Sequence, residues 1–352
     1  GQWLCPPHSV AIPADTPPAH ADTLRDILLR CLVAVIDTPP DICSRLEATQ
    51  RGPKQATPQY IRTWLRNLGA LPSALTWEDG IFLLRYCLSD LVKSGEYQAL
   101  DRVPLVPKSD QTFGLFTKVD EGEDTKRGQK TERFVLSNDP EEHYLLAAVR
   151  QNLVSRELPD DILNVLRSEA VRYATNIAIL GERSFASLLR RALPQQWAAA
   201  HVVPLPWQSE SKAADAETHI CTREYFQRLW RYISQRQQLF LFTALPIVVT
   251  HSEVLVRLTN EMHLVDYCPE NPTFCTLYEL LTRLGCHCLD PEVPWHHKDK
   301  SSIVASPTPH GVISTLSRVY GDGHAALVAR FESATSAERR ALLVFLSQPP
   351  PV

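Results

Sequence analysis

The sequence predicts an α+β protein, predominantly helical, with small proline-bounded antiparallel hairpins. Three observations predict it. Apolar residues recur at helical spacing in one stretch after another. Twice, at residues 80–116 and 223–258, a helical stretch leads to a proline-bearing run, a polar turn and a second short apolar run. And 27 prolines stand against 13 glycines in 352 residues, so helix starts and strand ends are marked far more often than phosphate-cradling loops.

Taken in order, the stretch through Pro18 is proline-rich and reads as extended. Asp22 is expected to cap a helix whose Leu24, Ile27, Leu28, Cys31, Leu32 and Val35 share one stripe, stopped by Pro39-Pro40. Thr57-Pro58, a cap followed by a proline, opens a helix burying Ile61, Trp64, Leu65 and Leu68, and Gly69 ends it. Thr76 caps the next, with Ile81, Leu84, Leu88 and Leu91 inward. Residues 103–106 and 112–116 read as two strands joined by the turn Lys108-Ser-Asp-Gln111. Pro104 and Pro107 cannot donate to a ladder, so this hairpin is expected to lie at a sheet edge or to carry its prolines outward.

The run Asp120–Arg133 mixes charges without apolar anchors and reads as a solvated loop. Helices open at Asp139-Pro140 and Pro159-Asp160, the second turning Ile162, Val165, Leu166 and Val171 inward, and a shorter one covers 183–192. Residues 208–218 read as another exposed loop. Thr222 caps a helix burying Tyr225, Phe226, Leu229, Trp230 and Ile233, which leads into 244–249, the turn Thr250-His-Ser252 and 253–258. Helices at 276–284 (ended by Gly285), 311–320 and 336–346 complete the chain. The expected organisation is a helical subdomain over 1–118 ending in a hairpin, a charged loop at 119–136, and a second helical subdomain over 137–352 with its hairpin near 244–258.

Composition excludes several functions. Apolar residues at 44%, charged at 22% and a net charge of -4 describe an ordinary globular chain with no overall electrostatic attraction for nucleic acid. The longest apolar run, 239–249, is too short for a bilayer and is interrupted by Pro246, so no membrane role is expected. Nine cysteines, several at apolar helix positions, read as free thiols in a reducing compartment, so a cytoplasmic location is expected. With one methionine, Met262, and Gly1 at its start, the chain reads as a piece of a longer one.

No catalytic constellation stands out. Gly-x-Ser-x-Gly and both glycine-rich nucleotide signatures are missing, and adjacent carboxylates at Glu141-Glu142 and Asp160-Asp161 sit at helix starts, where the dipole favours them. The sharpest alternative is a zinc-stabilised or metal-dependent module over Cys275–His297, with Cys275, Cys286, Cys288 and His296 as ligands. The paired short spacings of zinc sites are absent there, and buried thiols beside solvated histidines explain the same residues. A third possibility is the 223–236 helix, where Arg223, Arg228, Arg231 and Arg236 interleave with aromatics as on an RNA-binding surface; core packing of those aromatics is the simpler reading. The expectation is a non-enzymatic segment without catalytic, cofactor or metal residues.

Several stretches together resemble the internal repeats of the sacsin family of chaperone-like proteins. They are Leu83-Leu-Arg-Tyr-Cys-Leu-Ser-Asp90, Val103-Pro-Leu-Val-Pro107 and Phe113-Gly-Leu-Phe116. In similar order come Arg156-Glu-Leu-Pro159, Ala192-Leu-Pro-Gln-Gln-Trp197, Ala244-Leu-Pro-Ile247, Leu284-Gly-Cys286, Thr308-Pro-His-Gly-Val-Ile313 and Glu338-Arg-Arg-Ala-Leu-Leu343. Val202-Val-Pro-Leu-Pro206 departs from the pattern. Repeats of that family begin with an ATP-binding domain shared with gyrase and heat-shock chaperones, whose Asn- and Gly-bearing motifs have no counterpart here. The resemblance therefore implies the part of a repeat beyond the ATPase. Its role would be in proteostasis, binding protein clients or neighbouring repeats, with a link to intermediate filaments. Loops carry binding more often than cores, so the contact residues expected are Lys108 and Asp110 in one hairpin turn and Thr250 and His251 in the other, with the charged loop near Glu121.

Overall fold

The computed structural model describes residues 9–36, 39, 42, 53–118, 133–199, 202–204, 220–236, 239–259, 264–268, 271–293, 295–296, 298–321 and 323–348. The charged run at 119–132 with Glu121, the loop at 208–218, and Cys5, Cys43 and His297 lie outside them. Helices predominate, with sheets of two or three short strands, and none of the described helices is long and apolar enough to cross a membrane. Two compact units form: residues 1–139 with 150–180, and residues 140–149 with 181–352. The boundary expected at 136/137 is thus replaced by an interleaved one. Its cause is the parallel pairing of Phe134–Leu136 with Ile177–Ile179, which draws 150–180 back to the first unit.

In the first unit the opening helix is Pro18–Arg30, not one capped by Asp22. Proline at the first helical position has its φ preset and no N–H to satisfy, so no side-chain cap is needed. Leu24, Ile27 and Leu28 are buried as expected. Leu32 is not: it takes φ +59° and stands 95% exposed, because the chain turns there to lay Val35 beside Val10. Val10–Ala11 in turn pairs in parallel with Lys54–Gln55.

Thr57 caps Pro58–Leu68 through Oγ1, which accepts from Tyr60 N at 3.2 Å, and Gly69 closes it at φ +70°. Only a residue without Cβ enters that left-handed cap cheaply. Ile61 and Leu65 are buried, whereas Trp64 is half-buried and Leu68 is exposed. Arg62, not foreseen inside, takes the inner place. Thr76 and Asp79 form a reciprocal capping box on Trp77–Leu88, which buries Ile81, Leu83, Leu84, Cys87 and Leu88. The expected hairpin is present but short, Val106–Pro107 against Phe113–Gly114. Pro107, which has no N–H, accepts from Ser155 N on its outer side at 2.9 Å. Helices Asp160–Arg167 and Glu169–Ala174 are separated at Ser168, whose Oγ accepts from Val171 N.

Two ion pairs give this unit an acid limit. Burial raises the pKa of Asp79, but the paired guanidinium of Arg30 (2.7 Å to both oxygens) and the Thr76 amide and hydroxyl outweigh it and hold it below the ordinary value. The Arg85 guanidinium does the same for Asp161. A carboxyl whose folded pKa is depressed contributes stability above its unfolded pKa and loses it as pH falls through the folded one. The melting temperature should therefore drop as pH falls below about 4. Arg30→Gln combined with Arg85→Gln should flatten that acid limb, and an unchanged slope in the double variant would refute the assignment.

In the second unit Thr222 caps Arg223–Ser234, and Tyr225, Phe226, Leu229, Trp230, Tyr232 and Ile233 are buried. The hairpin expected near 244–258 is Pro246–Val249 against Val254–Arg257, joined by a third antiparallel strand, Val202–Pro204. Both proline-bearing strands are edges, as the missing donor requires. A second small sheet is parallel, with Leu264–Val265 between His287–Cys288 and Val304–Ala305. The helix expected at 276–284 is Tyr278–Arg283, followed by Gly285 at φ +81° and preceded by a separate short helix, Pro272–Cys275. Pro309–Tyr320 packs on this sheet, and His324–Glu332 and Ser336–Leu346 pack against that helix, the first capped by Thr308 and the last by a Thr335/Glu338 box.

Candidate partner-binding site

Within the first unit the hairpin and the loop before the Trp77–Leu88 helix enclose a groove of about 490 Å³. Its floor is Trp77 and Phe113, whose rings lie 4.7 Å apart and 32° from coplanar. Leu71, Pro72 and Leu75 form one side, and Leu115 and Lys108 belong to the hairpin side.

The floor is set by glycines. An alanine at Gly80 would place its Cβ 2.2 Å from Cζ of Phe113, so the helix accepts a glycine to let that ring lie flat on its backbone. Glycine inside a helix costs about 1 kcal/mol relative to alanine, so packing has to outweigh it. Gly114, at the next hairpin position, gives the same clearance to Phe134 from the opposite face. With alternate side chains pointing to opposite faces, Phe113 and Leu115 line the groove while Phe116 joins the core.

The turn is anchored. Ser109 N donates to Leu153 O at 2.9 Å and its hydroxyl to Val154 O at 3.2 Å, while Lys108 N donates to Thr112 O at 2.9 Å. Gln111 holds φ +59°, and Asp110 Oδ1 accepts from Thr112 N and Oγ1 at 3.1 and 2.6 Å. Lys108 Nζ lies 3.9 Å from Asp110 Oδ2, an ion pair too long for a hydrogen bond. Of the expected contact residues, then, Lys108 lines a groove, and Asp110 shapes the turn beside it. Trp77 and Phe113 were not anticipated as contact residues. The signal for them was Gly80, an isolated glycine in a helical run, which marks close approach.

The other expected pair is arranged differently. Thr250 is fully buried and its hydroxyl donates to Val254 O at 3.0 Å. His251 is exposed, yet its ring lies 5.1 Å from Tyr267 and 4.7 Å from Tyr278, and its N–H donates to Cys288 O. This turn is docked onto its own unit. The candidate zinc ligands are dispersed in character: Cys286 and Cys288 are buried, Cys275 is half-buried with its thiol donating to Cys268 O at 3.6 Å, and His296 is exposed. Burial pushes the Cys288 thiol up to about 12 and Cys286 well above its ordinary value, so both are neutral thiols at pH 7. Among the described residues no three His, Cys, Asp or Glu side chains gather as a metal-binding group.

The arginines of the 223–236 helix are occupied. Arg223 pairs with Glu292 and lies 3.4 Å from Asp290, Arg228 meets Glu141 at 3.5 Å and covers the Tyr144 ring, and Arg236 meets Glu142 at 3.3 Å. Carboxylates thus take the positions phosphates would need at these three, while Arg231 is exposed. Compared with known proteins, the chain matches no family model, no curated protein and no solved structure.

Proposed function

We propose that the chain is a non-catalytic scaffold segment that holds an extended stretch of a protein partner in the Trp77–Phe113 groove. The observation that carries this is the lining: aromatic, aliphatic and proline side chains share it with the neutral polar Ser73, Thr76, Gln111 and Thr112, and Lys108 is the one ionisable group among the described lining residues. Acid–base or nucleophilic chemistry needs converging titratable side chains; binding an apolar peptide needs a preformed aromatic floor. The ordered resemblance to sacsin-family repeats supports a setting in a larger cytoplasmic, chaperone-like machine, with clients or neighbouring repeats as partners.

The test uses the full chain and a panel of blocked proline- and leucine-containing peptides, titrated by calorimetry. At least one should bind near micromolar, about -8 kcal/mol. Leu115→Glu, at a 37% exposed position of the wall, should weaken it tenfold or more at unchanged melting temperature. Equal binding by this variant, or no peptide binding below millimolar, would remove the proposal.

A further inference from the structure

Resting on the reading of the groove as a peptide site, we infer that it selects an extended apolar segment bearing an acidic side chain, whose carboxylate takes the Lys108 ammonium over from Asp110.

The charge comes first. Lys108 is the only charged side chain in the lining, and it is already 16% exposed before anything binds. A purely apolar ligand laid over it would strip the remaining water from an ammonium whose nearest carboxylate stands at 3.9 Å. Burying a charge without a hydrogen-bonded partner is costly, whereas a ligand carboxylate in contact offsets that loss. Asp110 is poorly placed to serve. Its Oδ1 is committed to the amide and hydroxyl of Thr112, so it closes the turn rather than following Lys108 inward. It acts as a weak internal competitor, and its presence keeps the empty groove from being an unbalanced cation.

The backbone decides which carboxylate. Capture of a chain's C-terminal carboxylate uses clusters of free backbone N–H groups. In this turn the N–H groups of Lys108, Ser109, Gln111 and Thr112 all donate within the protein, to Thr112 O, Leu153 O, Lys108 O and Asp110 Oδ1. A single ammonium on an anchored turn suits a single side-chain carboxylate. Aromatic rings beside Pro72 and Pro104 suit a proline-bearing backbone, which docks with little loss of conformational freedom.

The experiment titrates the full chain by calorimetry with three peptides. One is acetylated and amidated with glutamate at the centre of a Leu/Pro sequence; one is its glutamine twin; one is the glutamine twin with a free C-terminal carboxylate. The glutamate peptide should bind about fivefold tighter than its blocked twin at low salt, a gap that narrows as salt rises to about 0.5 M. Asp110→Asn should widen the gap by about threefold, and Lys108→Met should close it while the glutamine peptide still binds. Equal binding of glutamate and glutamine peptides would overturn the inference and leave the groove reading standing. Tighter binding of the free-carboxylate twin would likewise overturn it, in favour of a terminal anion. Failure of all three to bind would sink the groove reading and this inference with it.

Discussion

Gly311→Ala should destabilise the second unit by about 3 kcal/mol or more, read as a drop in the urea midpoint of the full chain. An alanine Cβ there would lie 2.1 Å from the Ser306 carbonyl oxygen and 3.3 Å from Cβ of Ala305. Ala305 ends the Val304–Ala305 strand and Ser306 follows it, and the nearest atom is a backbone oxygen, so relief requires moving backbone and not merely a side chain. Helix propensity argues the opposite way, since alanine is the better helix former by up to about 1 kcal/mol. The sign of the effect therefore separates close packing from propensity. Gly181→Ala, where nothing lies within 4 Å of the added atom, is the control and should cost under about 1 kcal/mol. A neutral Gly311→Ala would mean that the strand and helix stand further apart than described.

Asp90→Ala should cost about 2 kcal/mol through Arg62, which lies 28 residues earlier in the chain. Arg62 is 4% exposed, and its guanidinium donates to Cys87 O at 2.6 Å and to both Asp90 oxygens at 2.6 and 2.8 Å. Removing the acid leaves a buried cation with one neutral acceptor. Removing both, as Arg62→Met with Asp90→Ala, takes away the uncompensated buried cation and should recover most of the loss, since an apolar side chain in its place needs no charged partner. A double variant no better than the single one would place the cost in Asp90 itself. This pair also gives the Leu-Ser-Asp ending of the 83–90 stretch a structural role: its carboxylate orients a cation inside the core.

What could be read from the sequence was punctuation. Thr57, Thr76 and Thr222 each precede the helix they cap, and Gly69 and Gly285 end helices in the left-handed region, because capping chemistry is local to a few residues. Both hairpins were legible for the same reason. The parallel pairings were not: strands of two or three residues such as Leu264–Val265 are too short to show alternation, and their partners lie far along the chain. Asp22 looked like a cap and Leu32 like part of a stripe, but Pro18 starts the helix and the left-handed turn at Leu32 ends it. The His324–Glu332 helix, which opens after Gly323, was not anticipated. Of the groove's lining only Lys108 is singled out by the sequence; the Trp77–Phe113 floor depends on two segments meeting, which no local pattern records.

The interleaving of the two units governs how the polypeptide can mature. Residues 140–149 belong with 181–352 while 150–180 belong with what precedes 140, so the chain passes from one body to the other three times. Phe134–Leu136 has no ladder partner until Ile177–Ile179 has emerged from the ribosome, so a gene truncated near residue 136 leaves that strand unpaired and one truncated near 118 lacks the sheet altogether. Neither body can be excised as a continuous fragment, and the two are committed to being inherited, expressed and degraded as a single piece.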